Sequence, residues 1–126
     1  MAIPKIEELL DLTHTLAAPL FRGKRYPWEI LPLLKEFIRE LGASLSREEY
    51  DEIAPGVFAH KTAKIAPTAL IQGPTVIGAG TEVRHCAFIR GSALIGENCV
   101  VGNSTEVKNA VIFDNVQVPH YNYVGD

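Results

Sequence analysis

Arg90 and Lys108 stand 18 positions apart, and Gln72 stands 18 before Arg90. A guanidinium offers a planar fork of donors and an ammonium a compact point charge, so the two held side by side make a receptor for phosphate. Further on comes the segment PHYNYVGD, with His120, Tyr121, Asn122, Tyr123 and Asp126 crowded into eight residues. An imidazole titrates close to physiological pH and can serve as a general base. Each group also has a plainer reading: two surface cations with water between them, and a histidine in an exposed turn. The choice depends on whether the fold brings residues 18 apart together.

The stretch from Ile71 to Val107 supplies that fold. In sixes it runs IQGPTV, IGAGTE, VRHCAF, IRGSAL, IGENCV, VGNSTE, with Val107 opening the next unit. Position one is Ile or Val throughout: Ile71, Ile77, Val83, Ile89, Ile95, Val101 and Val107. Position five is small or β-branched: Thr75, Thr81, Ala87, Ala93, Cys99 and Thr105. A short fixed period marks a solenoid: one apolar side chain per unit points inward, a small neighbour lets the wall close, and Gly78, Gly96 and Gly102 allow tight corners. The pattern resembles the hexapeptide repeat of left-handed parallel β-helix proteins, in which three hexapeptides make one triangular coil. The left hand is what the resemblance implies, since ordinary parallel crossovers are right-handed. Three sixes per coil would stack Gln72, Arg90 and Lys108 in one column, ~4.8 Å apart. That column has no carboxylate, and two stacked cations repel by ~1 kcal/mol in bulk water. A bridging phosphate would relieve this, as would Glu82 or Glu106 on the neighbouring corner.

The chain has 126 residues and a formal net charge of −3, enough for one small domain with an appendage. The mildly acidic balance excludes a nucleic-acid footprint. No apolar run approaches ~18 residues, so no membrane span is expected, and MAIPKIEELL lacks a signal-peptide core. A cytoplasmic location is expected. Cys86 and Cys99 have neither metal nor redox spacing, and Cys99 occupies the inward small slot of its unit, as a packed thiol would.

Residues 1–55 read as a helical segment and 56–126 as the solenoid. Pro4 opens a helix through KIEELLDL. Residues 13–26 read as a loop, whose Arg22, Lys24 and Arg25 are taken as solvated cations. Trp28, Ile30, Leu31, Leu34, Phe37, Ile38 and Leu41 recur at helical spacing, with Pro32 pointing to a start near Pro27 or a kink, and Gly42 as the stop. Ser46 and Glu49 form a capping box before a short helix, REEYDEI, and Pro55-Gly56 marks the boundary. The long apolar stripe is expected to cover an end of the solenoid, where unpaired backbone would otherwise invite edge pairing.

After Val107 the apolar positions are Ile112, Val118 and Val124, so one step is five residues instead of six. The run TEVKNAVIFDNVQVPHYNYVGD, with Thr105-Glu106-Val107-Lys108 where the family carries a Val-Glu-x-Lys step, a five-residue slip and a His-x-x-Tyr-x-Gly-Asp segment, is similar to a particular acetyltransferase domain. That domain belongs to the bifunctional N-acetylglucosamine-1-phosphate uridyltransferase/glucosamine-1-phosphate acetyltransferases. The resemblance covers about residues 57–126. It implies acetyl-CoA-dependent N-acetylation of an amino-sugar 1-phosphate, in a homotrimer, with His120 as catalytic base, Arg90 and Lys108 on the phosphate and Tyr123 on the sugar. Acetyl-CoA is the implied co-substrate, and no metal is expected. No Gly-rich nucleotide loop follows a strand, so a uridyltransferase half is not expected. The coils that bind acetyl-CoA in that family lie beyond the position matching Asp126, so the chain is expected to be incomplete at its C-terminus. Two other classes remain. A non-catalytic trimeric scaffold, or a fragment that only binds a sugar phosphate, would use the same solenoid. A zinc site like that of γ-class carbonic anhydrases would use His85 and His120, two coils apart; the second His expected five residues after His120 is Gly125 here.

Overall fold

The computed structural model describes Glu29 and residues 32–125. The expected helix after Pro4 and the loop over 13–26 lie outside the described residues. One helix, α1 (Leu34–Ser44), precedes thirteen short strands. These are β1 (Tyr50–Ala54), β2 (Val57–His60), β3 (Lys64–Ile65), β4 (Leu70–Ile71), β5 (Thr75–Ile77), β6 (Glu82–Val83), β7 (Phe88–Ile89), β8 (Ala93–Ile95), β9 (Val100–Val101), β10 (Glu106–Lys108), β11 (Ala110–Ile112), β12 (Gln117–Val118) and β13 (Tyr123–Gly125). They stack as three walls: wall A in the order β1-β2-β5-β8-β11, wall B as β3-β6-β9-β12 and wall C as β4-β7-β10-β13. From β2 onward each strand pairs in parallel with the third strand after it, which is what three hexapeptides per coil require. The chain is a left-handed parallel β-helix of hexapeptide repeats, with α1 the one α-helix among the described residues, on its N-terminal side.

The register is 18 residues in the lower coils, as in Thr75↔Ala93, and 17 in the last, as in Val101↔Val118 and Val107↔Val124. The slip therefore falls between Lys108 and Ala110, where Asn109 turns with φ 48°. The inward ladder Ile77, Val83, Ile89, Ile95, Val101 and Val107 is at most 1% exposed. Burying each such side chain is worth about 1.5–3 kcal/mol. Position five contributes more than small size. Thr81 Oγ1 donates to the Gly96 carbonyl (2.6 Å) and accepts from the Cys99 N–H (3.0 Å), so a fully buried hydroxyl ties two coils together.

Three expectations change here. Helix α1 covers the outer side of wall A instead of an end: Leu34 and Ile38 pack on Tyr50, Phe58, Val76 and Leu94. The reason is the outward row Phe58↔Val76↔Leu94↔Val111, an apolar ladder with no place in water. The lower edge of wall A is covered by β1, paired antiparallel to β2. REEYDEI is thus not a helix. Ser46 makes a single turn, its carbonyl accepting from the Glu49 and Tyr50 N–H groups, and Tyr50–Ala54 then forms β1. Cross-strand pairing and burial of Tyr50 against α1 and Phe58 outweigh local helix preference. The expected boundary at 55/56 falls on the turn of this hairpin, where Gly56 has φ 72°. Finally, α1 runs past Gly42 to Ser44. A Cβ on Gly42 would stand 2.6 Å from the Phe58 ring, so this glycine permits close helix–wall approach instead of ending the helix. No helix among the described residues is long and apolar enough to cross a membrane.

Candidate functional site

Wall C carries the candidate residues on its outer side. With Ile89, Val107 and Val124 directed inward, alternation turns the flanking residues outward. One outward row is Leu70↔Phe88↔Glu106↔Tyr123. Two residues further along each strand, the Arg90 N–H donates to the Val107 carbonyl (2.7 Å), which sets Arg90 level with Lys108, and Lys108 is in register with Gly125. Arg90 and Lys108 therefore share a column one coil apart.

Arg90 does have a carboxylate partner. Its Nη1 lies 3.4 Å from Glu106 Oε2, and its guanidinium carbon sits 5.6 Å from the centre of the Phe88 ring. Glu106 comes from the next coil and the neighbouring row, and of the two carboxylates the sequence offers to this column it is the one that pairs with Arg90. Glu82 pairs instead with Arg84, at 3.4 Å. Arg90 is 42% exposed and Glu106 32%. Such a pair contributes about 0–1 kcal/mol, so an incoming phosphate meets little resistance from it.

Tyr123 is 53% exposed. A Cβ on Gly125 would lie 2.5 Å from its phenol oxygen and 2.7 Å from the Lys108 carbonyl. The ring thus leans along its strand across Gly125, bringing the hydroxyl into the Arg90–Lys108 column. Gly125 makes room for this.

His120 stands at the opposite edge of the same wall, on the corner between β12 and β13. Tyr121 takes φ 56° and donates its N–H to the Asn103 carbonyl (3.0 Å). Thr105, fully buried, clamps the corner: its Oγ1 donates to the Pro119 carbonyl (2.6 Å) and accepts from the Asn122 N–H (3.4 Å). The Asn122 amide nitrogen donates to the carbonyls of Pro119 (3.2 Å) and His120 (3.0 Å). A Cβ on Gly102 would stand 2.6 Å from the His120 nitrogen, so the corner needs glycine beneath it. The imidazole meets the Tyr121 ring edge-on at 5.2 Å and borders an open cleft of about 420 Å³ with Arg84, Asn103 and Gln117.

The fold thus gathers Arg90, Lys108 and Tyr123 at one edge of wall C and sets His120 on the corner before β13, three residues before Tyr123 and five before Gly125. Gly125, Thr105, Asn122 and Gly102 support these groups and were not singled out from the sequence for that role, whereas Glu106 is one of the two carboxylates the sequence offers to the cation column. The Glu-x-Lys spacing that puts Glu106 and Lys108 on one side of β10 was the available signal. His85 and His120 are two coils apart with Asn103 between them, and the described residues contain no group of three side chains suited to a metal.

Fold and rows define the class, a hexapeptide-repeat left-handed β-helix protein. No family model matches the chain. Several curated relatives carry the name "Bifunctional protein GlmU". The one from Methanococcus maripaludis (strain C5) is 35% identical over 103 residues, 80% of this chain and 25% of its own length. The one from Synechococcus elongatus is 30% identical over 102 residues, 69% of this chain and 23% of its own length. The chain resembles the GlmU proteins, as its final motif led one to expect, and spans about a quarter of the length of these relatives.

Proposed function

We propose that this chain carries the acceptor half of an acetyl-CoA-dependent N-acetyltransferase site for an amino-sugar 1-phosphate such as glucosamine 1-phosphate. The observation that carries the reading is the edge of wall C, where Arg90 and Lys108 share a column and the Tyr123 phenol leans into it over Gly125. Arg90 and Lys108 hold the phosphate, Tyr123 supports the sugar, and the ring extends along wall C toward His120. There the imidazole accepts a proton from the amine as its nitrogen attacks the thioester carbonyl. The N–C bond forms, the C–S bond breaks, and the proton passes to the departing thiolate. The relatives' name supports this assignment. The acting unit is a homotrimer in this reading, with the acyl donor meeting the acceptor beside His120.

Calorimetric titration with glucosamine 1-phosphate tests the acceptor site. The wild-type chain is expected to bind, and Arg90→Ala/Lys108→Ala to lose at least about tenfold in affinity, as removal of two charge-assisted contacts should cause. Unchanged affinity in the folded double variant overturns the assignment. Binding without acetyl transfer in the wild type would leave a sugar-phosphate-binding solenoid.

A further inference from the structure

Below the His120 corner, the same corner of the solenoid holds a second cluster, two coils away from His120. Cys86 is exposed and sits in the left-handed corner slot with φ 58°. Its Sγ lies 3.2 Å from His85 Nε2. The other ring nitrogen, Nδ1, lies 2.7 Å from Thr68 Oγ1, one coil down. That hydroxyl oxygen also accepts the Cys86 N–H, at 3.2 Å. Thiol, imidazole and hydroxyl thus form a chain of nucleophile, base and orienting group, the arrangement that activates nucleophiles in general. With the imidazole proton on Nδ1 donated to Thr68, Nε2 is left to accept the thiol proton. His85, though not Cys86, borders an open basin of about 430 Å³ lined also by Lys64, Glu82, Arg84 and Asn103. By formal charge it has two cations against one carboxylate, which favours an anionic reactant.

The other cysteine shows what an inert thiol looks like here. Cys99 is buried, and its Sγ donates to the carbonyl of Phe113 (3.0 Å). Burial pushes its thiol above the ordinary range. Neither access nor a base is available to it.

We propose that Cys86 is a reactive thiol that exchanges with small anionic disulfides, with His85 as its base and Thr68 positioning His85. As Cys86 Sγ attacks one sulfur of the disulfide, its proton passes to His85 Nε2. A new S–S bond joins Cys86 to one half of the reagent, the original S–S bond breaks, the other half departs as thiolate, and the imidazole releases the proton to water. The disulfide is the oxidant, and the product is a mixed disulfide on the corner two coils from His120.

The chromogenic disulfide of thionitrobenzoate, added to the native chain at neutral pH, reads this directly. One thiol per chain is expected to react quickly, a phase absent from Cys86→Ser and retained in Cys99→Ala. His85→Ala is expected to slow that phase about fivefold or more, and Thr68→Val to slow it less, because the base remains but is no longer held. A fast phase that persists in Cys86→Ser, or a His85→Ala rate within about threefold of wild type, overturns the proposal. If His85→Ala does not fold, His85→Asn decides by the same criterion, since an amide can keep a bond to Thr68 but cannot take the proton.

Discussion

Walls A and C share one inward construction in their parallel strands and part company on their outer sides. Inside, Ile77, Ile95 and Ile112 of wall A meet Ile89, Val107 and Val124 of wall C in a single core. Outside, wall A presents Phe58, Val76, Leu94 and Val111, and α1 covers them. Wall C presents Leu70, Phe88, Glu106 and Tyr123 with Arg90 and Lys108 beside them, and no described helix covers it. A solenoid constrains one side chain in two; the other is free. Wall A uses that freedom to extend the core, and wall C uses it to hold charge and aromatic surface in a fixed row.

If that division is real, substitutions on the two walls should separate activity from stability. The largest effect is expected at the corner. His120→Ala should lower acetyl transfer to glucosamine 1-phosphate about 10²–10⁴-fold, as loss of a general base does, with calorimetric affinity for the sugar phosphate nearly unchanged. An equal loss of affinity would make His120 part of the binding surface instead. Next comes wall A: Leu94 is 1% exposed beneath α1, and Leu94→Ala should cost about 2–5 kcal/mol in urea denaturation. Glu106→Gln on wall C should stay within about 1 kcal/mol. Equal costs would erase the distinction between the walls.

Gly125→Ala sharpens the comparison at a single position. The added methyl meets the Tyr123 phenol and the Lys108 carbonyl, so sugar-phosphate affinity should fall by roughly tenfold, about 1.4 kcal/mol. Wild-type affinity in this variant would show that the lean of Tyr123 over Gly125 is not used. The smallest effect concerns the shared core. Burial raises the Cys99 thiol above its ordinary value of 9.0 in the folded chain. A group raised on folding contributes stability that is whole below its unfolded pKa and is lost as pH rises through its folded pKa. The urea midpoint should therefore decline gently above about pH 9, and less so in Cys99→Ala; an identical decline in both would assign it elsewhere. Tyr50, also raised by burial, contributes in the same direction at higher pH.

Much of this was legible in the residue order, because a strand-and-corner repeat makes structure local. Position one of each hexapeptide named the core from Ile71 to Val107. The 18-residue spacing put Arg90 and Lys108 in one column, and the step from Val107 to Ile112 located the short coil. What sequence could not decide involves residues brought together from different coils or different elements. Whether α1 would cover an end or a wall depended on the outward row Phe58–Val76–Leu94–Val111, which exists only after the coils stack. Whether REEYDEI would be helix or strand depended on β2 being there to pair with it. The Glu106–Arg90 pair, the lean of Tyr123 across Gly125 and the Thr105 clamp on the His120 corner each join neighbours 14 to 17 residues apart or set one residue over another's missing Cβ. A hexapeptide period determines which side chains face in and how far the chain climbs per turn. Only the assembled wall determines what the outward side chains touch, because those contacts run between coils, at right angles to the chain.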